Sequence, residues 1–206
     1  MLFVTYFFGV MGNYRVNASI VALHGGALPY NSEHILEISY ANKRFNQSQI
    51  PGEFMWTYIY IASPIGNLQY NIDKSDPEIN FYNFFRFLNN EIFYDFISKR
   101  INAILKLEPP DSFLIVDYLT VSTIYRGSYN ALGWLGLIMM GFFLLVLPIF
   151  YIGILRPSSS YYLSGIVVLN TLYLFIFFDN MLIFAGTGLQ LVYPILLDIL
   201  CRIKIR

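Results

Sequence analysis

The longest apolar stretch in the chain is Ala131–Leu155, which carries no charge, contains Trp134 near its start and closes at Arg156-Pro157. A helix rising about 1.5 Å per residue needs roughly 20 apolar residues to cross about 30 Å of hydrocarbon. Two further stretches follow. Tyr161–Phe178 lies between Ser158-Ser159-Ser160 and Asp179-Asn180, and Met181–Leu200 carries Asp198 near its end, with Arg202, Lys204 and Arg206 directly after it. The pattern therefore predicts transmembrane helices over 131–155, 161–178 and 181–200, with 201–206 as a basic tail. Residues 1–12 are apolar and aromatic but too short to cross alone. They lack the basic start and small-residue cleavage site of a signal peptide, and read as the end of a transmembrane helix or a short tilted one.

Basic residues in short flanks set orientation. Arg156 lies in the turn between the first two of these spans and Arg202, Lys204 and Arg206 follow the last, so both places are expected on the cytoplasmic side. Two spans between them satisfy that parity. The start of 131–155 then faces outward, and the long segment 13–130 lies outside the cytoplasm. Long loops translocate despite their charge.

The outer segment mixes polar turns with amphipathic stretches. From Phe81 the apolar positions Phe84, Phe85, Leu88, Ile92, Phe93, Phe96, Ile97, Ile101, Ile104 and Leu105 keep the i, i+3, i+4, i+7 spacing of one helical face. Asn83, Arg86, Asn90, Asp95, Lys99, Asn102 and Lys106 occupy the other face, and Pro109-Pro110 ends the run. Such a helix either packs on its own domain or lies in the membrane interface. Ser32 is placed to cap a shorter helical pattern from Glu33 to Phe45. Phe54–Ala62 is apolar but too short for a span, and reads as a buried or re-entrant piece ending at Ser63-Pro64.

Composition agrees with a membrane protein. Hydrophobic residues are 56% of 206, aromatic residues 18% and charged residues 13%, about half the charge of an ordinary soluble domain. That argues against a soluble enzyme, and the aromatic content argues against disorder. A net charge of zero gives no electrostatic footprint for nucleic acid. The single cysteine, Cys201, rules out an internal disulfide framework, and two histidines make a histidine-built metal site unexpected. No P-loop, HExxH or GxSxG pattern is present. No cofactor is expected.

Two arginines stand out. Arg15 follows the first apolar segment and Arg126 precedes the strongest span, both on the outer side. The positive-inside rule gives outer-flank arginines no topological purpose, whereas a guanidinium at headgroup depth can hold a phosphate through two parallel hydrogen bonds. Phospholipid headgroups and local carboxylates are equally open as partners. Asp179, at the outer end of two spans, could face a shared cavity. Glu33 and Glu37, beside His34, share one helical face, where they serve either as a solvated surface or in acid–base work.

Four stretches carry a family resemblance. Phe8-Gly9-Val10-Met11-Gly12-Asn13-Tyr14-Arg15 runs from a helix end into an arginine, and ten residues separate Arg15 from Gly26. Tyr60-Ile61-Ala62-Ser63-Pro64-Ile65-Gly66-Asn67-Leu68 fits Y-x-x-S-P-x-x-N-L, and Ser122–Tyr125 leads through Tyr129-Asn130 to Gly133 and Gly136. In this order the chain resembles the carboxyl-terminal half of the Wzy-type polymerases of O-antigen and other oligosaccharide repeat units. It departs from them in three respects: family members run to about twice this length, with more spans in proportion at about 20 residues each; Asn130 stands where an aspartate is common; and Leu137 stands where a second arginine-x10-glycine motif, from Arg126, would need glycine.

The resemblance implies an all-α integral membrane protein of the bacterial inner membrane, multi-spanning, with a large periplasmic loop containing amphipathic interfacial helices. It implies a glycosyltransferase that joins undecaprenyl-diphosphate-linked oligosaccharides into O-antigen or capsular polysaccharide, here as a truncated or partial polymerase. The partners implied are that lipid-linked oligosaccharide, the lipid bilayer and a chain-length regulator. Arg15 and Arg126, with Lys43 and Arg44 in reserve, are the candidates for binding the diphosphate. His24, His34, Glu33 and Glu37 are the candidates for the base. The competing expectation is a non-catalytic membrane subunit or a flippase-like polysaccharide transporter, to which the glycines interrupting the last span, Gly186 and Gly188, lend support.

Overall fold

A computed structural model of the chain describes residues 2–24, 42–108, 111–116 and 119–204. Every regular element among them is helical. In order they are α1 (Leu2–His24), α2 (Asn42–Gln47), α3 (Met55–Lys74), α4 (Phe81–Phe87), α5 (Asp95–Leu105), α6 (Tyr125–Ile154), α7 (Tyr162–Phe175), α8 (Ala185–Gly188) and α9 (Val192–Lys204). The contacts divide these residues into two units. The first takes those up to Gly66 and those between Leu114 and Thr120; the second takes the rest, so the boundary falls inside α3.

In the first unit, α1 does not stop at Gly12 but continues through Asn13 and Arg15 to His24. Phe45, Met55 and Ile59 form its small core, with Trp56 and Leu119 packed against them. Trp56 Nε1 donates to Asn13 Oδ1 at 2.7 Å, which fixes the indole against Gly12. The apolar run from Phe54 does not end at Ser63-Pro64, because α3 passes through Pro64 to Lys74. Proline removes one backbone donor and crowds the preceding turn. It does not stop this helix, because burial of Met55 and Ile59 before it and of Asn67 and Asn71 after it holds both halves.

In the second unit, the polar line Asn67, Asn71, Ser75 on α3 anchors Phe113, Val121 and Asn130. Asn71 Nδ2 donates to the carbonyls of Asn67 (2.7 Å) and Phe113 (2.6 Å), and Asn71 Oδ1 accepts from the Phe113 amide at 3.0 Å. Asn67 Nδ2 donates to the Val121 carbonyl at 2.8 Å. Asn130, at the start of α6, donates to Asn71 Oδ1 and to the Asp111 carbonyl, both at 2.7 Å, and accepts from Ser75 Oγ at 3.2 Å. Asn67 and Asn71 are fully buried, and buried amides are stable only when satisfied in this way.

The single amphipathic helix expected from Phe81 to Leu105 is two helices. Asn80 caps α4 by accepting the Asn83 amide at 2.8 Å. The chain then widens into a π turn, Leu88–Ile92, closed by the Phe93 amide donating to the Leu88 carbonyl at 3.2 Å. Phe93 and Tyr94 are extended, and α5 starts at Asp95 and ends at Lys106, which takes the left-handed conformation. The π turn turns Asn89 and Glu91 inward. Asn89 Nδ2 donates to Asn102 Oδ1 (2.7 Å) and Ser98 Oγ donates to the Asn89 carbonyl, so α5 folds back on the turn. Phe96, Ile97, Ile104 and Leu105 remain exposed.

Helix α6 is the one described helix long and apolar enough to cross a membrane. Gly133 breaks it with φ 60 and ψ −141, a conformation closed to residues with a Cβ. Beyond that break the helix still runs roughly 30 Å at about 1.5 Å per residue. Met140, Leu144 and Tyr151 face the core with Leu169 and Leu172 of α7, while Trp134, Ile138, Phe142, Leu145 and Ile149 line an exposed stripe. The expected span 161–178 yields α7, with 14 residues, about 21 Å long. The expected span 181–200 is interrupted: α8, a tight turn at Leu189–Leu191 and α9 replace one helix. Arg156 Nε and Nη2 donate to Asp198 Oδ1 at 3.1 and 2.8 Å, tying the turn after α6 to α9.

Candidate functional site

The first turn of α6 is held by its approach. Ile124 is buried and its amide donates to the Ile176 carbonyl at 2.9 Å, and the Arg126 amide donates to the Thr123 carbonyl at 3.1 Å. This sets Arg126 and Gly127 on a cavity of about 210 Å³. Glu91, brought inward by the π turn, lines it with Asn90, and Asp179 and Asn180 enter from the loop after α7.

Glu91 lies against bare backbone. A Cβ built on Gly127 would stand 2.1 Å from Glu91 Oε1 and 2.5 Å from Cδ. Asn180 Nδ2 donates to the Glu91 carbonyl at 2.9 Å and to Oε2 at 3.3 Å. Burial pushes the Glu91 carboxyl up to about 8, the Asp179 charge adds to the rise, and the Asn180 hydrogen bond and the Arg126 charge oppose it. At neutral pH this carboxyl is mostly protonated. Asn180 Oδ1 and Asn90 Nδ2 are buried without a hydrogen-bond partner. The cavity thus presents a proton-carrying carboxyl, a spare acceptor, a spare donor and a guanidinium. A group titrating near the working pH is suited to proton transfer, and the guanidinium to an anion.

Among the sequence candidates, Arg126 is in this cavity. Arg15 belongs to the first unit, where it borders a small apolar pocket with Phe8, Met11, Gly12, Trp56 and Tyr60. Lys43 and Arg44 are exposed on α2. His24 ends α1, but its side chain, like the whole of Glu33, His34 and Glu37, lies outside the described residues. Asp179 lines the Arg126 cavity. Asn130, which stands where the family favours an aspartate, is committed to the amide network. Sequence reasoning missed Glu91 and Asn180. The signal for Glu91 was present: a carboxylate placed between Leu88 and Ile92, inside the apolar periodicity. Among the described residues no three His, Cys, Asp or Glu side chains are grouped to hold a metal ion.

Comparison of the chain with family models, with curated proteins and with solved structures finds no match. The fold and the site define a class: among the described residues, an all-helical fold with one membrane-length helix whose first turn borders a buried carboxyl–arginine cavity.

Proposed function

We propose that the chain is a multi-spanning glycosyltransferase of the bacterial inner membrane. It polymerises lipid-diphosphate-linked oligosaccharide repeat units at the periplasmic face. The observation that carries this reading is the shared cavity of Glu91 and Arg126 at the start of the membrane-length helix. In the transfer, Glu91 acts in its ionised minority form: it takes the proton of the acceptor hydroxyl, whose oxygen bonds the donor's anomeric carbon. The bond from that carbon to the diphosphate breaks, and the electron pair leaves with the diphosphate. Arg126 stabilises the charge that develops there. Glu91 then passes the proton to water. The reading places α7 and the α8–α9 segment in the membrane beside α6, where breaks in a helix are tolerated against other protein.

Deletion of the gene, and separately Glu91→Gln, tests the reading by the polysaccharide ladder on a gel. Both changes are expected to abolish long chains and leave single repeat units. A normal ladder after either overturns it. The second reading, a flippase-like transporter, draws on the interrupted segment around Gly186 and Gly188. It predicts lipid-linked units accumulating on the cytoplasmic side instead.

A further inference from the structure

A second cavity in the same unit, about 380 Å³, is lined by Lys74, Asp76, Glu78, Arg86, Asp111 and Phe113, with Pro77 also on its wall. That volume falls in the range of about 300–1,000 Å³ for small-ligand sites. Asn130 borders both this cavity and the one holding Glu91. Its amide is held by Asn71 and the Asp111 carbonyl, which fixes this side chain between the two.

The lining selects by chemistry. Three carboxylates against two cations disfavour a phosphate or another multivalent anion. The cations interleave with the carboxylates, and among the described residues no metal-binding group of acids is formed. Charged walls disfavour an acyl chain. A neutral polyhydroxylated ligand meets the lining best: vicinal hydroxyls pair with carboxylates and a guanidinium, and a sugar's C–H face lies on Phe113 and Pro77. Arg86 is set for such a contact. Its Nη1 donates to Asn83 Oδ1 at 2.9 Å and its guanidinium lies 5.6 Å from the Tyr82 ring centroid. Its Nε is buried without a partner.

We propose that this cavity is a saccharide subsite, holding the sugar next to the one that reacts at Glu91. The identity of that sugar chain rests on the glycosyl-transfer reading above. The probe is the host's own repeat-unit oligosaccharide, released from its carrier lipid by mild acid. Binding to the purified full chain in detergent is measured by saturation-transfer NMR. Asp76→Ala combined with Asp111→Ala is expected to weaken binding at least tenfold, with thermal unfolding unchanged because both carboxylates are exposed. Arg86→Lys keeps the charge but removes the planar guanidinium, and is expected to weaken binding several-fold. Absence of binding to the parent protein, or equal binding by the double variant, overturns the subsite. The two readings fail separately. An unchanged ladder after deletion removes the polymerase reading, while loss of binding in the double variant still upholds the saccharide site.

Discussion

Glu91 ties the fold of the second unit to pH, and the size of the effect follows from its surroundings. Burial, which penalises the charged form, pushes its carboxyl up to about 8 in the folded chain from the ordinary value of 4.5. Between those values the unfolded chain has lost the proton and the folded chain keeps it. Fewer protons bound on unfolding means that stability falls as pH rises. The loss begins near pH 4.5, continues through about pH 8 and then levels off. At about 1.4 kcal/mol per pH unit it amounts to roughly 5 kcal/mol across the window. Glu91→Gln preserves shape and removes the titration. Thermal unfolding in detergent from pH 5 to 9 is therefore expected to show the parent losing stability relative to the variant, by up to that amount. The groups facing Glu91 give the internal control. Asp179→Asn removes a like charge and is expected to lower the midpoint, whereas Arg126→Gln removes a favourable charge and is expected to raise it. Infrared difference spectra between the parent and Glu91→Gln read the protonated carboxyl directly. Parallel pH profiles for the two proteins, or a carboxyl ionised at pH 6, would refute a buried, proton-carrying Glu91.

Three other substitutions test the supports of the site. Gly127→Ala places a methyl group where the Glu91 carboxyl now lies, and is expected to cost about 1–3 kcal/mol in thermal unfolding and to shift the Glu91 midpoint in the infrared titration. Asn71→Ala removes one of the three partners of Asn130 and the partner of both the amide and the carbonyl of Phe113; a loss of roughly 2–4 kcal/mol is expected from several hydrogen bonds at about 1 kcal/mol each, with faster protease cleavage near Phe113. Arg156→Ala removes the Arg156 guanidinium from Asp198, which is 1% exposed; the expected cost is about 3 kcal/mol, recovered in part by adding Asp198→Asn, as unfolding of the single and double variants measures.

What the sequence made legible, and what it hid, divides along the periodicity of the backbone. Ala131–Leu155 was readable because a run without charge favours a helix, and α6 covers all of it but Leu155. Gly133 is one of two spaced glycines in the sequence, but that it breaks the helix with a positive φ is a backbone property no hydropathy pattern carries. The stretch from Phe81 to Leu105 shows the opposite error. Its apolar positions keep a 3.6-residue period to the end, so one helix was expected. A π turn inserts an additional residue into a turn without disturbing that count by much. Its effect is rotational: Glu91 moves into the interior and its carboxyl meets Gly127. Glu91 could be flagged from sequence only as a charge in an apolar register. Its partners, Gly127 and Asn180, are distant in sequence and come to it through the α6 turn and the loop after α7. Arg126 was found for a different reason, since a cation flanking a span on the outer side is anomalous by topology alone. The carboxyl and the cation of the site thus carry signals of different kinds. The first marks a residue out of register without giving its partners, which is why the candidates for the base were Glu33, Glu37 and the histidines, and not the Glu91 of the proposal above.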